Sequence, residues 1–149
     1  MTATLPVLPV RVLVLNGPNL NMLGKREPEV YGSASLDEVM DSLTSYGRTI
    51  GADVRSEQSN SEGSIIDLLH GAGEWATGVI LNGGGYSHTS IAIRDAISSI
   101  DVPVVEVHIS NIAAREDFRH QSILSGACDG VIYGFGHRGY RIALHSFVL

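Results

Sequence analysis

Residues 12–32 read VLVLNGPNLNMLGKREPEVYG. Val12, Leu13, Val14 and Leu15 form an unbroken apolar run, the pattern of a strand covered on both faces. Beyond Asn16 the chain does not turn at once into a helix. Connections between strands and helices mostly take about two to six residues, whereas roughly eighteen intervene here before the next helical pattern. Asn16 and Asn19 sit at or just beyond the strand end, and Lys25, Arg26 and Tyr31 lie farther along. A long loop this rich in reactive side chains has the character of a lid or binding loop on an α/β sheet.

Outward from this stretch, apolar runs alternate with helix-period segments, which predicts strand–helix units and a parallel sheet. Strands are expected at residues 10–15, 52–58, 78–81, 102–108 and 130–133. The first helix should begin at Ser35, because Ser35 and Glu38 have capping-box spacing and Leu36, Val39, Met40 and Leu43 share a face. Gly47 is expected to end it. Further helices are expected over 61–75, over 87–100, over 115–119 or beyond, and over 140–147. These elements predict a flavodoxin-like five-stranded parallel sheet in the order 2-1-3-4-5, with helices on both faces and right-handed crossovers. Ligands of such sheets bind beyond the carboxyl ends of the strands, where the strand order reverses.

Length and composition fit one domain: 149 residues, 44% hydrophobic, 17 glycines. No run approaches the roughly 20 apolar residues of a membrane span, and no signal peptide is recognisable. Cys128 is the only cysteine, so no internal disulfide can form and a cytoplasmic setting is expected. The net charge of −6 speaks against a nucleic-acid surface. Nine of the ten basic residues are arginine, whose donor fork suits carboxylates and other oxygen-rich ligands. Lys25, the only lysine, is the one residue able to form a Schiff base.

Polar motifs lie at three strand ends: Asn16 to Asn19 after the first strand, Asn82 to His88 after the third and His108 to Asn111 after the fourth. NGGGYSHTS, residues 82–90, follows a strand and opens a helix, so its amides can approach a ligand; the alternative is a flexible turn. It has neither dinucleotide nor triphosphate spacing. His88 and Asp95 are close to two helical turns apart and are expected on nearly one face, which could equally be a solvated one. In VVEVHISN, residues 104–111, Glu106, His108 and Ser110 alternate with apolar residues, so Glu106 should orient the His108 ring and prepare it to donate a proton. Arg115 and Arg119 have i, i+4 spacing; at least one is expected to clamp a ligand, and spacing does not separate them. No metal-binding pattern is found. A free phenol is only about 0.1% ionised at pH 7, so Tyr31 needs a nearby cation to act as a base, and Arg26 lies in the same loop.

With these residues in view, the chain resembles the type II 3-dehydroquinate dehydratases, the dehydroquinases that work without a Schiff base. The likeness rests on LNGPNLNMLGKREPEVYG, on NGGGYSHTS with Arg94 and Asp95 after it, and on EVHISN followed by AREDFRH. It implies loss of water from 3-dehydroquinate to give 3-dehydroshikimate, a step of the shikimate pathway to aromatic amino acids, with no cofactor. By the same resemblance Tyr31 is the base that forms an enolate, Arg26 keeps the phenol ionised, Asn19 holds the enolate oxygen through a water, and His108, tuned by Glu106, protonates the departing hydroxyl. Asn82, His88 and Arg119 would bind substrate hydroxyls, and the backbone at Ile109 and Ser110 the carboxylate. Asp95 would reach a neighbouring subunit's site in a homododecamer built from trimers. In the resembled pattern Gly83 stands where alanine or proline is more frequent, a change that could loosen the turn, and GHRGYRIAL replaces the more usual GIQGY, placing His137 and Arg138 where apolar and amide side chains are commoner; both departures bear on local packing or assembly more than on chemistry. Residues 1–9 fall outside the likeness and are expected to be mobile. A non-catalytic flavodoxin-like binding or signalling module is the alternative.

Overall fold

The computed structural model describes residues 10–149, so the expectation for residues 1–9 lies outside the described residues. Five strands, β1 (Val10–Asn16), β2 (Ala52–Gln58), β3 (Gly78–Asn82), β4 (Val104–His108) and β5 (Gly130–Tyr133), form one sheet in the order β2-β1-β3-β4-β5. Every pairing is parallel. This is the expected flavodoxin-like topology. The fourth strand starts two residues later than expected. Pro103 has no N–H to give a ladder; its carbonyl accepts from Val79 N at 2.9 Å.

Helices α2 (Leu36–Thr49) and α5 (Arg138–Ser146) cover one face of the sheet, and α3 (Glu62–Gly71) and α4 (Ile91–Ser98) the other. A short α1 (Pro28–Tyr31) lies in the long first loop, with proline at its first position. Leu43, Val54 and Leu144 belong to the core on one side, and Ile65, Leu69 and Ile93 to that on the other. The expected cap at Ser35 is present, its Oγ accepting from Glu38 N at 3.1 Å. Gly47 does not end α2. A Cβ there would stand 2.9 Å from Val54 Cγ2 and 3.0 Å from the Ala52 carbonyl, so the glycine lets the helix lie against β2. Among the described residues no helix is long and apolar enough to cross a membrane.

Two expected helices are corrected. The one expected over 87–100 splits into a 3-10 turn, Gly84–His88, and α4, because Ser90 adopts an extended backbone and caps Ile93 N at 3.0 Å. His88 and Asp95 therefore share no helical face. The helix over 115–119 is also not formed. Arg115 is extended, and only the three residues Asp117–Arg119 turn as a 3-10 helix.

The parallel register sets Asn16 beside Asn82 at the ends of β1 and β3, where strand order reverses. Gly17 allows the two following segments to touch: its N–H donates to the Asn82 carbonyl at 2.8 Å, and a Cβ on it would lie 2.7 Å from the Gly83 carbonyl oxygen. Since backbone cannot retreat as a side chain can, Gly17→Ala should cost about 1–3 kcal/mol of stability and part the two loops. A lowered melting temperature together with reduced kcat/KM would check this.

Candidate active site

Beyond the ends of β1, β3 and β4 the chain forms a cavity partly open to solvent. Asn19, Arg26, Tyr31, Asn82, His88, His108, Ile109, Ser110, Arg115 and Arg119 all line it. Glu106 sits behind His108. Asp95 lies outside the lining and is exposed, as is Lys25.

The floor is held by a residue the sequence did not single out. Tyr140, wholly buried in α5, donates to Asn16 Oδ1 at 2.6 Å and accepts from Asn82 Nδ2 at 3.0 Å. Burial pushes its phenol well above the usual tyrosine value, so it remains a neutral donor that ties β1 to β3. The Asn82 Oδ1 accepts from Gly84 N at 3.2 Å. Asn19 takes a left-handed conformation (φ 68°), and its N–H donates to Asn60 Oδ1 at 3.0 Å. Gly83, flagged as a departure, does not loosen the turn. Its φ of −73° suits any residue, and Ser87 Oγ and Leu124 Cδ1 fill the space a Cβ would need.

Alternation along β4 puts Glu106 and His108 on one face, as expected. The Glu106 carboxylate, 0% exposed, hydrogen-bonds His108 Nε2. Its other oxygen accepts from Ser125 Oγ at 2.8 Å. Burial alone would raise this acid, but hydrogen bonds from His108, Ser122 and Ser125 and the imidazole charge outweigh it and hold it below the ordinary glutamate range. The carboxylate thus fixes His108 with Nε2–H as donor and leaves Nδ1 as the second ring nitrogen. The His88 ring stacks on that of His108, with centroids 6.2 Å apart; its Nδ1 donates to the Gln121 carbonyl at 2.9 Å. Cys128 Sγ is 3.9 Å from Glu106, and burial next to that charge pushes the thiol up to about 12, so it is inert as a nucleophile.

Tyr31, the last residue of α1, lines the same cavity. The guanidinium that donates to its phenol oxygen, at 2.6 Å, belongs to Arg115. Arg26 instead stands 5.6 Å from the ring centroid and faces Glu27 at 4.0 Å. Its side chain is 43% exposed, against 13% for Arg115. Spacing left Arg115 and Arg119 unseparated; the structure gives them different partners, Arg119 Nε donating to Glu116 Oε2 at 2.9 Å. Among the described residues no group of three or more His, Cys, Asp or Glu side chains is placed to hold a metal ion.

Residues 10–148 match the profile of the family described as dehydroquinase class II. The chain is 56% identical over 135 residues to 3-dehydroquinate dehydratase 1 of Agrobacterium fabrum, covering 91% of this chain and 93% of the relative. It is 53% identical, with the same coverage, to the 3-dehydroquinate dehydratase of Rhizobium johnstonii. It superposes on the crystal structure of a type II dehydroquinase from Butyrivibrio crossotus with a TM-score of 0.89 and 41% identity, over 93% of this chain and 97% of the other.

Proposed function

The chain belongs to the class II dehydroquinase family, and on that premise we propose that this hydro-lyase, a 3-dehydroquinate dehydratase, works through an enolate, with Tyr31 as base and His108 as acid. The observation that carries the reading is that an arginine-bound phenol and a carboxylate-bound imidazole open onto one cavity.

As phenolate, Tyr31 takes a proton from the carbon beside the substrate ketone, and the electron pair moves onto the carbonyl oxygen. Arg115 supports the base directly, because its hydrogen bond strengthens when the phenol oxygen is charged. Arg26, on the same lid, adds a second positive charge over the ring. Asn19, acting through a water, holds the enolate oxygen. The enolate then collapses, the carbon–oxygen bond two carbons away breaks, and His108 gives the leaving hydroxyl its proton, so that water departs and an enone remains. Tyr31 returns its proton and His108 regains one from solvent. Glu106 stabilises the charged imidazole. Asn82, His88 and Arg119 bind substrate hydroxyls, and the Ile109 and Ser110 backbone receives the carboxylate.

The proposal extends to a cytoplasmic dodecamer of trimers. The exposure of Asp95 away from its own cavity supports a role for it in a neighbouring copy's site. Purified protein given 3-dehydroquinate, with chelator and without nucleotide, should show rising enone absorbance, and light scattering of the same sample should give twelve chain masses. A flat absorbance trace would overturn the reaction, and a smaller mass the assembly.

A further inference from the structure

His137 has no part in the chemistry above. It precedes α5 and packs under Gly32, the residue directly after Tyr31. A Cβ on Gly32 would lie 3.0 Å from His137 Nε2, 3.7 Å from Cδ2 and 3.9 Å from Cε1, so the edge of the imidazole abuts the glycine backbone. Gly32 has φ of 87°, a conformation that suits glycine, and its N–H closes α1 by donating to the Pro28 carbonyl at 2.8 Å. The end of the lid that carries Tyr31 thus rests on an imidazole.

Both nitrogens of that ring are buried and have no hydrogen-bond partner. The charged and titratable groups lining the adjacent groove are Glu38 from α2 and Arg138, Tyr140 and Arg141 from α5. Glu38 accepts from Ser35 Oγ at 3.1 Å, Arg141 donates to Ser42 Oγ at 2.9 Å, and the Tyr140 hydroxyl is committed to the floor of the cavity. From the lid, Tyr31 turns its hydroxyl to Arg115. A neutral imidazole tolerates this position; a protonated one would bury a charge and two unmet donors under the lid. Burial accordingly holds His137 below the ordinary imidazole value.

We propose that His137 is a positioning residue, a seat for the lid that holds Tyr31 in place only while its ring is neutral. The link to turnover rests on the function proposed above. Protonation releases the lid, so kcat/KM gains an acid limb that sits in KM, because bound substrate holds the lid down and restores the neutral ring. At pH 6.0, half a unit below the ordinary imidazole value of about 6.5, the open population should rise up to about fourfold; at pH 8 it should be unchanged.

The test uses the full chain. Endoproteinase Lys-C can cut only after Lys25, the one lysine; its side chain is exposed, but its N–H is held in the lid's turn by the Met22 carbonyl at 3.1 Å, so the segment must leave the closed lid before the protease can hold it extended. Parent protein and His137→Leu are digested side by side at each pH, so the pH dependence of the protease cancels. The parent should be cut faster than the variant at pH 6.0, by up to about fourfold relative to their ratio at pH 8. His137→Gln, which is polar but does not titrate, should behave as His137→Leu and serves if the leucine variant folds poorly. An equal ratio at both pH values would overturn the proposal. So would slower cutting of the parent at pH 6.0, which would mean that the charged ring clamps the lid through Glu38. Cleavage is read without substrate, so a changed ratio in a protein that does not turn over 3-dehydroquinate would sink the proposed function and leave the lid seat standing. With active protein, the parent should lose kcat/KM relative to His137→Leu between pH 8 and 6.0, mostly in KM.

Discussion

Tyr31→Phe should lower kcat about 10²- to 10⁴-fold, the range of a lost general base, with KM changed far less. The substitution removes one oxygen and keeps the ring, so the packing of the lid end against His137 survives. What disappears is the acceptor of the Arg115 hydrogen bond, which is also the atom proposed to take the substrate proton. Arg115→Ala should also be severe in the parent, by about 10²- to 10³-fold, as for the loss of a preorganised donor to developing charge. In the Tyr31→Phe background it should cost little more. Residues that act as a unit show such non-additivity, and residues that contribute separately do not. Steady-state kinetics of the two single variants and the double variant decide the matter. Turnover of Tyr31→Phe within tenfold of the parent would reject the phenolate, and additive losses would reject Arg115 as its support.

Sequence patterns conveyed the sheet well because its information is local. The apolar runs of β1, β3 and β4 and the capping serine of α2 each lie within a few residues, and period-two alternation was enough to put Glu106 and His108 on one face. What could not be read was decided by contacts across the chain. Arg115 meets Tyr31 across 84 residues, so its i, i+4 spacing to Arg119 carried no information about which guanidinium reaches the phenol. Tyr140 joins Asn16 across 124 residues and looks in sequence like any aromatic on a buried helix face. Ser125, which holds the second oxygen of Glu106, gave no signal at all. His88 and Asp95 part for a local reason: Ser90 caps a new helix between them, and their seven-residue spacing brings them to one face only in an unbroken helix. The four residues of α1 are too few to show a period.

Glu106→Gln keeps the shape of the side chain and removes its charge, and it should lower kcat about 10²-fold or more with little change in KM. An amide can still accept from His108 Nε2, so the ring stays in place, but the charged imidazole loses the buried anion that stabilises it. A purely structural role would leave kcat within a few-fold of the parent and would be read from the same kinetics. Stability gives an independent check, with a definite sign. The folded protein holds Glu106 below the ordinary carboxylate value, so between the two values the unfolded chain binds more protons than the folded one. The resulting stabilisation is complete above about pH 4.5 and is lost as pH falls through the lower, folded value. The variant lacks this component. At neutral pH it should be less stable by roughly 1.5–3 kcal/mol, the worth of a hydrogen bond to a charged group, and the gap should close in acid. His137 is also depressed, but from the imidazole value of about 6.5, and its contribution fades as pH falls below that point. Denaturant unfolding from pH 7 to 3 therefore separates the two: a loss beginning near 6.5 that His137→Leu removes, and a later one, below about 4.5, that Glu106→Gln removes. A parent–Gln difference that stays constant down to pH 3 would show that the carboxylate does not gain its charge stabilisation from His108 and its serine partners.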